Sequence, residues 1–169
     1  FRAIHNSLDM PEMMRTQSGE VFSSEYGLMM YLERLHLPLT LSALGRTRGC
    51  NLWKTSRICN TVGRWLHHNH CWRLRRLEIH IPYFDEACLR IFEKNGMTGL
   101  ANIFAFIDGK CLRTCKTTVN QRVLYSGYNK YHCLKNQALT MPNGIIAHLY
   151  GPICGSRTDS YMLHRSRII

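Results

Sequence analysis

Hydrophobic periodicity changes once along this chain, at about residue 98, and the change constrains the fold more than any other feature. Before it, apolar residues recur at helical spacing; after it, they form uninterrupted or alternating runs typical of strands. We therefore predict a mixed α/β protein. Residues 1–24 form a polar, loop-like leader, residues 25–98 a helical region, and residues 99–169 a sheet-containing domain.

The helical region contains three predicted helices, over residues 25–37, 39–44 and 51–68. Pro38 ends the first pattern, and Gly45 closes the second helix. A pair of helices joined through Gly45-Arg46 is typical of a helix-turn-helix that binds DNA. That arrangement would place four basic residues near phosphates: Arg48, Lys54, Arg57 and Arg64. An ordinary small helical bundle explains the same pattern equally well.

The second half begins with a helix predicted over residues 84–94, with Asn95-Gly96 at its C-terminal cap. The uninterrupted apolar run of residues 103–107 predicts a central strand buried on both faces, ending at Asp108. Residues 131–141 and 145–150 flank Pro142-Asn-Gly144, which is a strong hairpin signal. Gly151-Pro152 is expected to stop the second strand, and a last helix follows Gly155.

Charge and cysteine content restrict the partners. The net charge of +11 and the pI near 9.6 indicate nucleic acid or an anionic membrane surface. No apolar run approaches the roughly 20 residues that span a bilayer, and no signal peptide is present, so we expect neither membrane insertion nor secretion. The eight cysteines lack a C-x-x-C pair and are expected to be reduced thiols. A zinc site from His67, His68, His70 and Cys71 matches no zinc-finger spacing, and a solvated basic helix end is the simpler interpretation.

Two isolated acids suggest a metal site. Asp108 and Asp159, 51 residues apart, are the only acids from residue 108 to residue 169, against nine Lys and Arg. Paired carboxylates supply the hard oxygen ligands that Mg²⁺ prefers, while the surrounding bases suit a phosphate backbone. The alternative is structural, with Asp108 as a strand-end turn residue and Asp159 as a helix cap.

The sequence segments around these two acids resemble those of the DDE superfamily endonucleases of the PIF/Harbinger transposon class. Order and spacing agree over about 65 residues. The matching segments are FIDG at 106–109, NQR at 120–122, YSG at 125–127, KYH at 130–132, LK at 134–135, PNGIIA at 142–147, LYGP at 149–152, Gly155, Asp159 and ML at 162–163. Weaker similarity extends upstream, in EYGL at 25–28, LGR at 44–46 and His70.

The resemblance implies an RNase H-like mixed sheet flanked by helices, present here only in its first half. It also implies a nuclear transposase that binds two divalent ions, Mg²⁺ or Mn²⁺, cuts double-stranded DNA at transposon ends and works with a Myb-like partner protein. Asp108 and Asp159 would be the first two acids of the catalytic triad and metal ligands. Candidate phosphate contacts are Arg122, Lys135, Arg57 and Arg64, although solvated charge at a strand edge is an equal alternative for Arg122 and Lys135.

The sequence also departs from the family pattern. No acid follows Asp159, where a third, usually Glu, is expected. The chain starts at Phe1 and stops in an amphipathic segment, so we expect a C-terminally truncated fragment. Lys110, Thr117 and Thr158 replace residues more usual in the family. The alternatives are an inactive, domesticated DNA-binding or scaffold remnant and, more remotely, a zinc-stabilised module.

Overall fold

A computed structural model describes residues 1–37, 39–95 and 102–168, which form two compact units. The first comprises residues 1–71 and the second residues 72–169. The mixed α/β class predicted from the sequence is confirmed. The predicted domain boundary near residue 98 and Pro38, the predicted end of the first helix, lie outside the described residues, as does Gly96 of the predicted helix cap. No helix within the described ranges is long and apolar enough to cross a membrane.

The first unit is mainly helical. Its elements are α1 (Arg2–Ser7), β1 (Met13–Arg15), β2 (Val21–Ser23), α2 (Ser24–His36), α3 (Leu41–Thr47) and α4 (Leu52–His70). The prediction that residues 1–24 form a loop was wrong, because β1 and β2 pair as an antiparallel hairpin after a short helix. The inward residues of this hairpin, Met14 and Phe22, join a core with Leu28, Ile58 and Val62. Strands this short show no clear alternation in the sequence, and their packing partners are distant along the chain.

Polar caps fix the starts of the three longer helices. The side chains of Ser23, Thr40 and Asn51 each accept a backbone N–H bond from the first turn. The second helix therefore starts after Thr40 and runs past Gly45, which was predicted to close it. Gly45 is needed for close packing, because a Cβ there would lie 2.6 Å from the Cys50 carbonyl oxygen and from Thr55 Oγ1.

The second unit contains the larger sheet. Its elements are two 3₁₀ helices (Cys71–Leu74, which begins at the last residue of the first unit, and Leu77–Tyr83), α5 (Phe84–Asn95), β3 (Phe106–Arg113), α6 (Gln121–Leu124), β4 (Tyr125–Ser126), β5 (Tyr131–Thr140), β6 (Ile146–Cys154) and α7 (Asp159–Ser166). β5 pairs with β3, β4 and β6, always antiparallel, so the described strands include none of the parallel pairing expected in a mixed sheet. β3 and β6 pair with the same stretch of β5 and therefore lie on its opposite edges.

The central strand is β5, and the prediction of a buried central strand ending at Asp108 was wrong. β3 starts at Phe106, continues to Arg113 and is exposed along most of its length. Phe106 and Ile107 remain 55% and 42% exposed. β5 instead alternates, with Cys133, Lys135, Gln137 and Leu139 buried on one face. An apolar run alone does not distinguish an edge strand from a central one.

The predicted hairpin between β5 and β6 is confirmed. Gly144, at φ +83°, turns the chain, and Met141 N–H donates to the Ile145 carbonyl at 2.9 Å. Gly151-Pro152, however, does not end β6, which continues to Cys154. The register of β6 shifts beside these two residues, between Lys135 and Gln137 of β5. A proline without an N–H is tolerated at such a bulge, because no ladder hydrogen bond is lost.

Candidate active site at Gly109

Asp108 lies inside β3 rather than at its end. It is opposite Ala138 of β5, and Gly109 is opposite Gln137. The Asp108 side chain is exposed, and its Oδ1 accepts a hydrogen bond from the Gly109 N–H at 2.8 Å. The regular pairing of β3 with β5 therefore holds this carboxylate beside the backbone of Gly109.

Asp159 reaches the same glycine from the start of α7. Thr158 caps that helix by accepting the Tyr161 N–H, which makes Asp159 the first helical residue and places its charge at the favourable end of the helix dipole. A Cβ on Gly109 would lie 3.4 Å from Asp159 Oδ1. Both predicted acids thus lie next to Gly109, although the structure shows no direct contact between them within the described residues.

The two carboxylates approach Gly109 from different sides. Neighbouring residues of a strand direct their side chains to opposite faces, so Cβ of Asp108 points away from the face on which Asp159 lies. The Asp108 carboxylate then bends back to the Gly109 N–H. An ion bound by both acids requires the Asp108 side chain to leave that N–H.

Lys135, a predicted phosphate contact, lies beside Asp159. It was a candidate for phosphate contact, yet its side chain is only 10% exposed and its Nζ lies 3.3 Å from Asp159 Oδ1. The Asp159 side chain is 74% exposed, so solvent screens the pair on that side. The signal available in the sequence was alternation, because Lys135 falls on the same face as buried Cys133 and Leu139.

Two further buried polar groups face the same side of the sheet. Gln137, opposite Gly109, has a side-chain oxygen without a hydrogen-bond partner in the described part of the chain, and the same holds for His148 Nδ1. His148 is opposite Leu139 on β6. Burial lowers the pKa of His148, which favours the neutral imidazole. Sequence reasoning did not single out either residue for the site.

The acids fit a divalent cation in their chemistry and access. Magnesium commonly binds one or two protein carboxylates and keeps several waters, and the exposure of Asp108 and Asp159 leaves room for both waters and a phosphate. The absent side chain of Gly109 leaves the space beside Asp159 open. Against this, the Lys135 ammonium already contacts one oxygen of Asp159. No group of three or more His, Cys, Asp or Glu suited to a metal occurs among the described residues, including the histidines near Cys71.

The other candidate DNA contacts are dispersed. Arg57 pairs with Glu20 through two hydrogen bonds, of 2.7 and 3.0 Å, and Arg48 pairs with Glu33 at 2.7 Å. Arg64 is exposed on α4, and Arg122 is exposed on α6 in the second unit. Of the four predicted contacts, Arg57 and Lys135 are therefore engaged with acids, and Arg64 and Arg122 are exposed and form no ion pair with any acid that the structure describes.

Comparison with known proteins gives one finding. Residues 107–169 match the family model of the DDE superfamily endonucleases, a segment that contains Asp108, Gly109, Lys135 and Asp159. No curated protein and no solved structure matches the chain significantly. DDE endonucleases generally use divalent metals and act on DNA. The match supports residues 107–169 as part of a transposase-like nuclease domain of the DDE superfamily.

Proposed function

We propose that this chain carries part of the active site of a metal-dependent DNA endonuclease of the Harbinger transposase type. The observation that carries the proposal is that Asp108 and Asp159 both lie beside Gly109, within the segment that matches the DDE endonucleases. The proposed substrate is double-stranded DNA at transposon ends, and the proposed cofactor is Mg²⁺ or Mn²⁺. Action in the nucleus with a Myb-like partner follows from the Harbinger resemblance.

The protein residues have distinct proposed roles. Asp108 and Asp159 supply carboxylate oxygens for divalent ions. Such an ion, when bound, would withdraw charge from the scissile phosphate and favour attack by water or a 3′-hydroxyl. Lys135 fixes the Asp159 carboxylate in the apo site and limits the repulsion between two acids and an approaching polyanion. Gly109 keeps the space beside Asp159 free for the phosphate.

A second candidate function is DNA binding without cleavage. The contact between Lys135 Nζ and Asp159 Oδ1 favours it, because an ammonium already neutralises the carboxylate that a metal would use. Lys110, next to Gly109, adds another positive charge at the same place. Such a remnant would bind DNA in a salt-sensitive manner and would be indifferent to replacement of Asp108.

Nicking of supercoiled plasmid with Mn²⁺ or Mg²⁺ separates the two functions. The nuclease proposal expects nicking that EDTA abolishes and that Asp108→Asn and Asp159→Asn each reduce by about 100-fold or more. Asp85→Asn is the matched control, since Asp85 is an exposed acid on α5 in the same unit. DNA binding with no nicking, or nicking equal in all three variants, would contradict the nuclease proposal and favour the remnant.

A further inference from the structure

A basic cleft lies in the first unit, well separated in sequence from the residues around Gly109. It has a volume of about 790 Å³ and lies between α2 and α4. Its basic lining residues are Arg34 from α2, and Arg64, His67 and His68 from α4. On α4, Asn60, Arg64 and His67 follow helical spacing, so they share one face of the helix.

The charge of this cleft is not balanced by acids. None of its lining residues is an acid, and the sequence has no Asp or Glu from Arg34 to Leu77. No ion pair joins Arg34 or Arg64 to an acid within the described ranges, whereas Arg48 and Arg57 are paired with Glu33 and Glu20. The exposed Arg64 guanidinium is therefore available to an anion, whereas the Arg34 guanidinium also contacts the buried Cys59 thiol.

The floor of the cleft is built by close packing. Gly63 lies against the Tyr31 ring, and a Cβ at this position would be 3.1 Å from Tyr31 Cε2. Cys59 beside it is fully buried, and burial raises the pKa of its thiol, so the floor carries no negative charge. The cleft therefore combines a packed floor at Tyr31 and Gly63 with a lining that includes two arginines.

We propose that this cleft binds a phosphodiester of a nucleic-acid backbone, with Arg64 as the main contact and Arg34, His67 and His68 as supporting ones. A neighbouring cleft of about 270 Å³ shares Asn60 and Arg64 and also contains Ser18 and Thr61. The second cleft is also lined by Arg57, which is paired with Glu20, and its Thr61 hydroxyl donates to the Arg57 carbonyl at 2.8 Å. Asn60 and Arg64 are therefore the donors that the two clefts share, and both residue types commonly contact phosphates.

The proposed cleft between α2 and α4 is a different DNA contact from the helix-turn-helix predicted for the same unit. The helix-turn-helix hypothesis relies on Arg48, Lys54, Arg57 and Arg64, two of which are paired with acids. The cleft uses the α2–α4 groove instead and requires no base contacts. An acidic peptide is the competing ligand, because guanidinium groups also bind carboxylates. The absence of acids over residues 34–77 favours a long, uniformly charged polymer such as nucleic acid.

The test measures affinity of the whole chain for a short fluorescent duplex of mixed sequence, in EDTA, by anisotropy. No divalent metal is present, so failure of the nuclease proposal would not affect the result. Arg64→Ala is expected to weaken binding by about tenfold and to lower the slope of log affinity against log salt by about one. Arg15→Ala is the matched control, because Arg15 is an exposed arginine of β1 in the same unit.

The outcomes separate the proposal from its rivals. Arg64→Glu should weaken binding more than Arg64→Ala, while both keep the thermal unfolding midpoint of the native chain, since Arg64 is exposed. An equal loss of DNA affinity in Arg64→Ala and Arg15→Ala would mean that only the net charge of the chain matters, and it would overturn the proposal that the cleft binds DNA. Poly-glutamate that competes as well as DNA at equal charge, with the same dependence on Arg64, would assign the cleft to an acidic peptide.

Discussion

Gly109 lies beside both acids of the proposed site, and the role of its missing side chain can be tested directly. In Gly109→Ala the new Cβ would lie 3.4 Å from Asp159 Oδ1, an ordinary van der Waals distance. We expect the free energy of unfolding to stay the same or rise by about 0.5 kcal/mol, because Ala restricts the unfolded chain more than Gly. Mn²⁺ affinity and nicking should nevertheless fall, since the space beside Asp159 is filled.

Calorimetry of Mn²⁺ binding and thermal unfolding check this expectation together. Gly127→Ala serves as the control, because a Cβ there meets nothing within 4 Å. Unchanged metal affinity in Gly109→Ala would show that the space beside this glycine plays no part in the site.

Lys135 and a metal ion would compete for the same carboxylate. Lys135→Met removes the ammonium 3.3 Å from Asp159 Oδ1 and keeps a buried side chain of similar length. We expect Mn²⁺ affinity to rise by up to about fivefold, the value of a partly exposed ion pair, with stability close to unchanged. Lys116→Met removes an exposed lysine of the same domain and should leave Mn²⁺ affinity unchanged. Weaker Mn²⁺ binding in Lys135→Met would mean that Lys135 helps to form the site.

The sequence singled out Asp108, Asp159 and Lys135 as candidates, but not the contact between Lys135 and Asp159. The two acids could be singled out because they are isolated among basic residues and lie in segments that resemble the DDE endonucleases. The role of Lys135 depends on the fold of β5 against α7, which places a lysine on a buried face within reach of an exposed acid. Charge composition alone indicates a surface lysine, because lysines are rarely buried.

The connection from β6 to α7 determines where Asp159 lies. Gly155 in this connection is buried, and a Cβ on it would lie 2.5 Å from the Leu124 carbonyl oxygen and 2.6 Å from that of Cys133. We expect Gly155→Ala to destabilise the second unit by about 3 kcal/mol, because backbone atoms must move. Chemical denaturation measures the loss, and Gly127→Ala should stay within about 0.5 kcal/mol of the native chain. Equal stability of the two variants would contradict the packing described for Gly155.

Thr158, the N-terminal cap of α7, lies in the same connection. Its hydroxyl accepts the Tyr161 N–H at 3.2 Å and so starts α7 at Asp159. Thr158→Ala should cost about 1 kcal/mol in unfolding free energy, and Thr158→Ser should recover most of it. A full loss in both variants would show that the methyl group, rather than the hydrogen bond, stabilises the helix start.

Elements with a strong local period were predicted well. α2, α4, α5 and β5 match their expected positions within about two residues, because periodicity and caps are local signals. The Gly144 turn likewise fixes the start of β6, although β6 continues four residues past its predicted end. The predictions at Gly45, Pro152 and β3 failed for a shared reason. Gly45 permits close helix packing, Pro152 lies at a bulge, and β3 occupies a sheet edge. Each of these features depends on residues distant in sequence.

The molecule consists of two units, each with a core of its own. The first unit buries Met14, Phe22, Leu28, Ile58 and Val62 in one cluster, while the second packs α5 against β5 and β6 around Leu139 and Ala147. We expect residues 1–71, expressed alone, to unfold cooperatively by circular dichroism, since their core is contained within that range. A non-cooperative transition in the fragment would show that this core requires the rest of the chain.

The whole chain also combines two proposed functions in different units. The cleft around Arg64 would hold a DNA backbone, and the acids at Gly109 would cleave it. Asp159→Asn should therefore lower metal-dependent nicking and leave DNA binding in EDTA close to that of the native chain. Arg64→Ala should weaken binding in EDTA and leave the nicking rate at saturating DNA unchanged.

The central claim is that Asp108 and Asp159 together bind a divalent metal, and Mn²⁺ titration followed by electron paramagnetic resonance tests it most directly. The native chain should bind Mn²⁺ with an affinity that falls by about tenfold or more in Asp108→Asn and in Asp159→Asn, with little further loss in the double variant. Asp85→Asn should bind as the native chain does. Mn²⁺ affinity that is unchanged in both single variants would contradict the claim and leave DNA binding as the remaining function.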